Sequence, residues 1–248
     1  MSDLSGRTTI VVGASRGLGR GIATALAEAG APVIAVSRTA AAFPEIGNGS
    51  GSIQPEIADA GEATVPATLI DRYEPRNIIL VAGATPHMRP LRQHTWETFS
   101  VNWHTDVRIT FHWLREILLT SLRPGSRVVV FSSGAAIAGS PLSGGYAGTN
   151  ATQKIITCYA QGEADQLGLD ITFTTILPRM SPDTELGRSA AHAYASAAGM
   201  SIEDFLKQFG PTLTPEIAGN AVADLVRAEA GTVAPAYLLT GAGLKKLA

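Results

Sequence analysis

Residues 8–19 read TTIVVGASRGLG. A short β-branched run ends at Gly13, and apolar residues then recur at helical spacing over 18–29 before Gly30 closes the segment. Strand, glycine-rich turn and helix therefore follow one another directly. Glycines at 13, 17 and 19 permit a tight turn, let backbone amides approach a pyrophosphate, and let the helix pack closely on a sheet. The same residues could serve a bare strand-helix connection, but their place at the head of a strand-turn-helix unit points to a dinucleotide. Gly13, Ser15, Arg16, Gly17, Leu18 and Gly19 are the candidate phosphate cradle.

Outward from this stretch, short Val- and Ile-rich runs recur at 33–37, 78–81, 127–132, 171–176 and 236–240. Runs of this kind are buried parallel strands. A further strand at 53–57 is crowded by Gly49, Gly51 and Pro55. Between the strands lie helices at 102–121, at 147–167 closed by Gly168, and at 215–227 opened by Thr214. This alternation predicts a single α/β domain over 1–248, a Rossmann-type doubly wound parallel sheet flanked by helices. The Ala- and Ser-rich segment 189–201 marks a lid or substrate segment near 180–210.

With 248 residues, 45% of them hydrophobic, the chain can bury a sizeable core. The 19 Lys and Arg against 21 Asp and Glu give a net charge of −2. That balance offers no footprint for nucleic acid or an anionic membrane, so the expected partner is a small molecule. No apolar stretch approaches the ~18 residues of a membrane span, and the expected location is cytoplasmic. A lone cysteine, Cys158, leaves no internal disulfide and is expected in the core; the five histidines lack metal-ligand spacing.

The second strand ends in Ser37-Arg38, where an NAD-selective site places Asp or Glu against the ribose 2′-hydroxyl. Arg38 and Arg16 instead offer guanidinium groups suited to a 2′-phosphate. NADPH/NADP is the implied cofactor. Two solvated surface arginines are the alternative reading.

The glycine turn, Ala82-Gly83, Asn102, Ser133 and Tyr146 together resemble the short-chain dehydrogenase/reductase family over nearly the whole chain. The G-x-x-x-G-x-G turn is intact, and Ser133 stands thirteen residues before Tyr146. Departures are Leu80-Val81 in place of paired asparagines, Asn150 in place of the lysine of Y-x-x-x-K, and Pro178-Arg179 in place of Pro-Gly. The resemblance implies Tyr146 as acid/base, Ser133 as its orienting partner and Asn102 at a helix kink that holds a relay water. It places Ala82, Gly83 and Pro178 against the cofactor, and Glu56 near its adenine. It also implies a homo-oligomer, tetramer or dimer, paired through helices 102–121 and 147–167. Phe111, Trp113, Leu114, Ile117 and Leu118 spread apolar surface around the first of these.

In such enzymes the lysine lowers the tyrosine pKa. A free tyrosine, with a pKa near ~10, is ionised in about one molecule per thousand at pH 7. An ammonium ~5 Å away at an effective dielectric of ~20 is worth roughly 3 kcal/mol. Asn150 supplies almost none of this, although it can hydrogen-bond ribose hydroxyls. Oxidation of an alcohol needs tyrosinate, whereas reduction of a carbonyl needs the neutral phenol, so reduction suffers less. Lys154, one turn further along, and Arg179 are the candidate substitute cations. His87, Met88, Ile137, Leu142, Met180, Tyr194, Met200 and Phe205 suggest a mainly apolar substrate pocket. Three functions remain open: an NADPH-dependent carbonyl reductase, a non-catalytic NADPH-binding protein, and altered chemistry such as elimination on the same scaffold.

Overall fold

The computed structural model describes residues 4–46, 51–120 and 122–247. Seven parallel strands, β1 (Thr9–Val12), β2 (Pro32–Ser37), β3 (Ser52–Ile57), β4 (Asn77–Leu80), β5 (Ser126–Phe131), β6 (Ile171–Pro178) and β7 (Ala236–Thr240), are joined by an antiparallel β8 (Gly243–Lys246). The sheet order is β3-β2-β1-β4-β5-β6-β7-β8. Strand order therefore reverses between β1 and β4, and the crevice beyond their carboxyl ends is where ligands bind in such sheets.

Alternation along the strands explains the two cores. Val11, Val33, Ile79 and Val129 face one side, while Ile10, Val12, Ile34, Ile78 and Val128 face the other. The first side is covered by α1 (Gly17–Glu28), through Ile22 and Leu26, and by α9 (Pro215–Arg227), through Val222 and Val226. The second is covered by α2 (Val65–Tyr73), α4 (Arg108–Thr120) and α6 (Tyr146–Gln166), with Trp113 and Ile117 wholly buried against it, while the shorter α3 (Trp96–Asn102) and α5 (Ala135–Ala138) pack on α6. The region 180–210 folds as α7 (Glu185–Ala197) and α8 (Ile202–Lys207).

The further strand expected at 53–57 forms as β3, which lies at the sheet edge, where the N–H that Pro55 lacks has no neighbour to serve; Gly49 lies outside the described residues. Other expectations are revised. The helix expected from residue 102 begins at Trp96, where Thr95 caps it and Thr98 completes a capping box. Its expected end, Ser121, lies outside the described residues. Between α3 and α4 the chain forms one π-helical turn, Trp103–Val107. Cys158 is exposed rather than in the core, on the outer side of α6. Of the five apolar residues expected to spread around the helix, Trp113, Leu114 and Ile117 belong to the core, while Phe111 stays 52% exposed.

Candidate active site

At the carboxyl end of the sheet lies a cleft of about 1340 Å³. It is lined by Gly13, Ser15, Arg16, Gly17, Leu18, Gly19, Ser37, Arg38, Ala82, Gly83, Ser133, Tyr146, Asn150 and Pro178. Asn102 is the one candidate set back from it, fully buried behind the wall.

The cofactor end is built by close backbone approach. Gly13 has φ +94°, and a Cβ on it would lie 2.6 Å from the Ala82 nitrogen; a Cβ on Gly19 would lie 2.2 Å from the Gly13 carbonyl oxygen. No side chain caps the N-terminus of α1, and its first turn carries no acid. Its leading amides are thus left to face an anion in the cleft, so the residues fit a dinucleotide pyrophosphate. The two arginines differ. Arg16 is ion-paired with Glu185 at the head of α7, both exposed, whereas Arg38 has no partner among the described residues. Glu56 does not line the cleft: its carboxylate accepts from Arg72 and Tyr73, and Asp59 and Ala60 take the lining position beyond β3.

At the other end, Tyr146 opens α6 and stands on the cleft wall with Ser133. Withdrawal from bulk water raises its pKa above the ordinary value, Ser133 and Asn150 pull it down, and the charge of Asp106 raises it further. No cation contributes. Lys154 does not line the cleft, and Arg179 stacks its guanidinium over Phe209, 5.2 Å from the ring centroid. Asn150 is 3% exposed and turns its amide back along its own helix, donating to the Tyr146 carbonyl at 2.8 Å. Ser132 Oγ donates to the Asn150 carbonyl at 2.8 Å, which holds this turn of α6 against β5.

Asp106, which sequence reading passed over, sits in the π-helical turn with 4% exposure and lines the cleft. Its Oδ1 accepts from the Ala84 amide at 2.7 Å. Asn102 Nδ2 donates to the Ala84 carbonyl at 2.7 Å and to Asp106 Oδ2 at 2.9 Å. The backbone of Ala84 is thus held at both its N–H and its C=O. Leu80, where an asparagine was expected, is buried in the core and can make no such polar anchor. Desolvation raises the Asp106 pKa to about 7, against the opposing effect of its Ala84 and Asn102 hydrogen bonds. The available signal was an acid one helical turn after Asn102, on the face that continues through Trp113 and Ile117.

Of the expected substrate-side residues, Ile137, Met180, Tyr194 and Phe205 line the cleft, and His87, Met88, Leu142 and Met200 do not. Leu186 and Phe209 join them. Tyr194 and Phe205 stack at 6.2 Å with their planes 10° apart, and the Tyr194 hydroxyl is hydrogen-bonded to Ser140. α7 and α8 thus contribute an aromatic wall to the cleft that Tyr146 also lines. Among the described residues, no helix is long and apolar enough to cross a membrane.

Residues 7–195 match the profile of the short chain dehydrogenase family. The chain belongs to that family. Among curated relatives, D-erythrulose reductase of Gallus gallus is 32% identical over 136 residues, 52% of this chain and 55% of that protein. The chain thus spans about half the length of that relative. Carbonyl reductase [NADPH] 2 of Sus scrofa is 25% identical over 216 residues, covering 82% of this chain and 86% of the relative. Among solved structures, a 3-oxoacyl (acyl-carrier-protein) reductase of Agrobacterium tumefaciens C58 with NADP bound superposes with a TM-score of 0.75 at 24% identity, covering 96% of this chain and 95% of that one. At that identity the likeness speaks for the fold.

Proposed function

We propose that this short-chain dehydrogenase is an NADPH-dependent reductase of a mainly apolar carbonyl compound, with Tyr146 as proton donor and an atypical site in which Asn150 takes the lysine position. The observation that carries the reading is the electrostatics of Tyr146. With Ser133 beside it and no cation acting on it, the phenol stays protonated, the form that reduction consumes. Bound NADPH would supply a hydride to the carbonyl carbon. Ser133 steadies the carbonyl oxygen, and Tyr146 transfers its hydroxyl proton to it; the resulting alcohol leaves a tyrosinate, which regains a proton from solvent. Asn102 and Asp106 hold the loop behind the site, and the residues of α7 and α8 shield an apolar substrate as a lid. Following NADPH absorbance against a carbonyl panel tests this. Tight NADPH binding with no carbonyl-dependent oxidation would favour the non-catalytic reading, which the folded-back Asn150 amide supports.

For NADPH over NADH, Arg38, unpaired among the described residues, carries the selectivity and the Glu185-paired Arg16 adds to it. Arg38→Asp should cost NADPH roughly 10–100-fold in affinity by calorimetric titration and leave NADH within a few-fold. Equal losses for both cofactors would remove Arg38 from the 2′-phosphate site.

A homo-oligomer, dimer or tetramer, is proposed from the large apolar side chains left outward on adjoining elements: Trp103 at 49%, Phe111 at 52%, Ile155 at 47% and Tyr159 at 64% exposure. Light scattering should give a multiple of 25.8 kDa at micromolar concentration, and Phe111→Glu with Tyr159→Glu should reduce it to that mass. A wild-type monomer would refute the pairing.

A further inference from the structure

The π-helical turn brings an acid to the place where the electrostatics of a tyrosine-dependent site would call for a base. Asp106 is 4% exposed and held through both carboxylate oxygens, by the Ala84 amide and by Asn102. Neither donor is charged. From α6, Tyr146, Asn150 and Gln153 border the same part of the cleft, and Gln153 Nε2 donates to Thr110 Oγ1 at 2.9 Å. From the loop after β4, Gly83 and Ala84 lie against the carboxylate, and neither carries a charge. Among these neighbours Tyr146 is the one titratable group. His104 and Arg108 on the same stretch are exposed, and Arg108 turns away to the Gly61 carbonyl and Glu62. Among the described residues a charge on Asp106 therefore has no counter-charge beside it, and it opposes a second negative charge on Tyr146.

We propose that Asp106 is a positioning residue that gates reduction by its protonation: neutral Asp106 lets Tyr146 release its proton, and ionised Asp106 holds that proton back. The inference rests on the reductase reading above. The chemistry at the substrate is unchanged, since Asp106 neither donates to the carbonyl nor touches it. It sets the energy of the tyrosinate left behind. The same carboxyl keeps Ala84 in place in both states, because the amide bond to Oδ1 survives protonation of Oδ2.

Two measurements test this, one of them without cofactor or substrate. Burial lifts the Asp106 pKa from 3.8 in the unfolded chain to about 7 in the folded one. A carboxyl whose folded pKa is raised contributes its stability below the unfolded value and loses it as pH rises through the folded value. Between pH 5 and pH 8 the melting temperature of wild type should therefore fall by roughly 5–10 °C relative to Asp106→Asn, whatever constant offset the substitution brings. A difference that does not change with pH overturns the proposal. In the second measurement, carbonyl-dependent NADPH oxidation by wild type should drop ~10-fold from pH 6 to pH 8.5, and Asp106→Asn should flatten that profile. A clamp with no electrostatic role would lower the rate at every pH and leave the shape alone, which would also overturn the proposal. If Asp106→Asn does not fold, Asp106→Ser makes both comparisons. Turnover with an unmoved profile defeats this inference and leaves the reductase standing; no turnover at any pH defeats the reductase reading and this inference with it.

Discussion

Tyr146→Phe should lower carbonyl reduction by roughly 10²–10⁴-fold while leaving the affinity for NADPH within a few-fold. The size follows from the role. A positioned general acid supplies that factor, and the phenylalanine ring occupies the same volume without a proton to give. Its neighbours make the loss hard to rescue. Ser133 offers a second hydroxyl on the cleft wall, but its oxygen already accepts from the Ala135 amide at 3.2 Å, and a serine hydroxyl is a far weaker acid than a phenol. Asp106 lines the cleft with both carboxylate oxygens already taken by the Ala84 amide and Asn102. Steady-state NADPH oxidation and a fluorescence titration of cofactor binding separate the two effects. If turnover survives, the tyrosine mechanism is wrong for this chain; if binding falls as steeply as turnover, Tyr146 holds the cofactor and the loss of rate is secondary.

How much of this could be read from the sequence differs between backbone and side chains. The strands at 8–12 and 127–132 stand out because a parallel strand covered on both faces is continuously apolar, and the glycine turn stands out because no other residue fits where a Cβ would lie within 3 Å of a backbone atom. β8 is poorly marked: three of the four residues of Gly243–Lys246 are glycine or lysine, and only antiparallel pairing with β7 makes it a strand. At the site, the residues carrying a family pattern reach the cleft or its back wall, except Glu56, which Arg72 and Tyr73 hold away from it. Asp106 was missed because an acid in a helix reads as solvent-facing. Spacing puts it on the face of Asn102, but what buries it is the backbone of Ala84, which both side chains hold and which lies in a loop distant along the chain. Arg16 shows the same limit. Its place in the turn is plain from the chain, but its pairing with Glu185 joins positions 169 residues apart.

Asn150→Lys should raise alcohol oxidation at pH 7 by ~100-fold and change reduction much less. In wild type the oxidative direction needs a tyrosinate that burial and the nearby Asp106 both disfavour, so its rate should climb only toward and above pH 10. An ammonium at position 150 reverses the sign of the local field. It favours tyrosinate by roughly 3 kcal/mol at ~5 Å and an effective dielectric of ~20, which carries the rise in oxidation toward neutrality. The lysine would stand where Asn150 is now 3% exposed, so its charge must turn into the cleft, toward the same region that Asp106 lines. Two consequences distinguish this from a generic gain. Asp106 should ionise more readily beside a cation, and the pH dependence of reduction between pH 6 and pH 8.5 should fade. In an Asp106→Asn background the same substitution should increase oxidation by more than in wild type, because no carboxylate then neutralises the new charge. A double-mutant cycle on the oxidative rate at pH 7 measures that coupling. Additive effects would mean that the two positions do not share a field. Wild-type oxidation already centred near neutrality would mean that the tyrosine is ionised by some means other than a cation at this turn of α6.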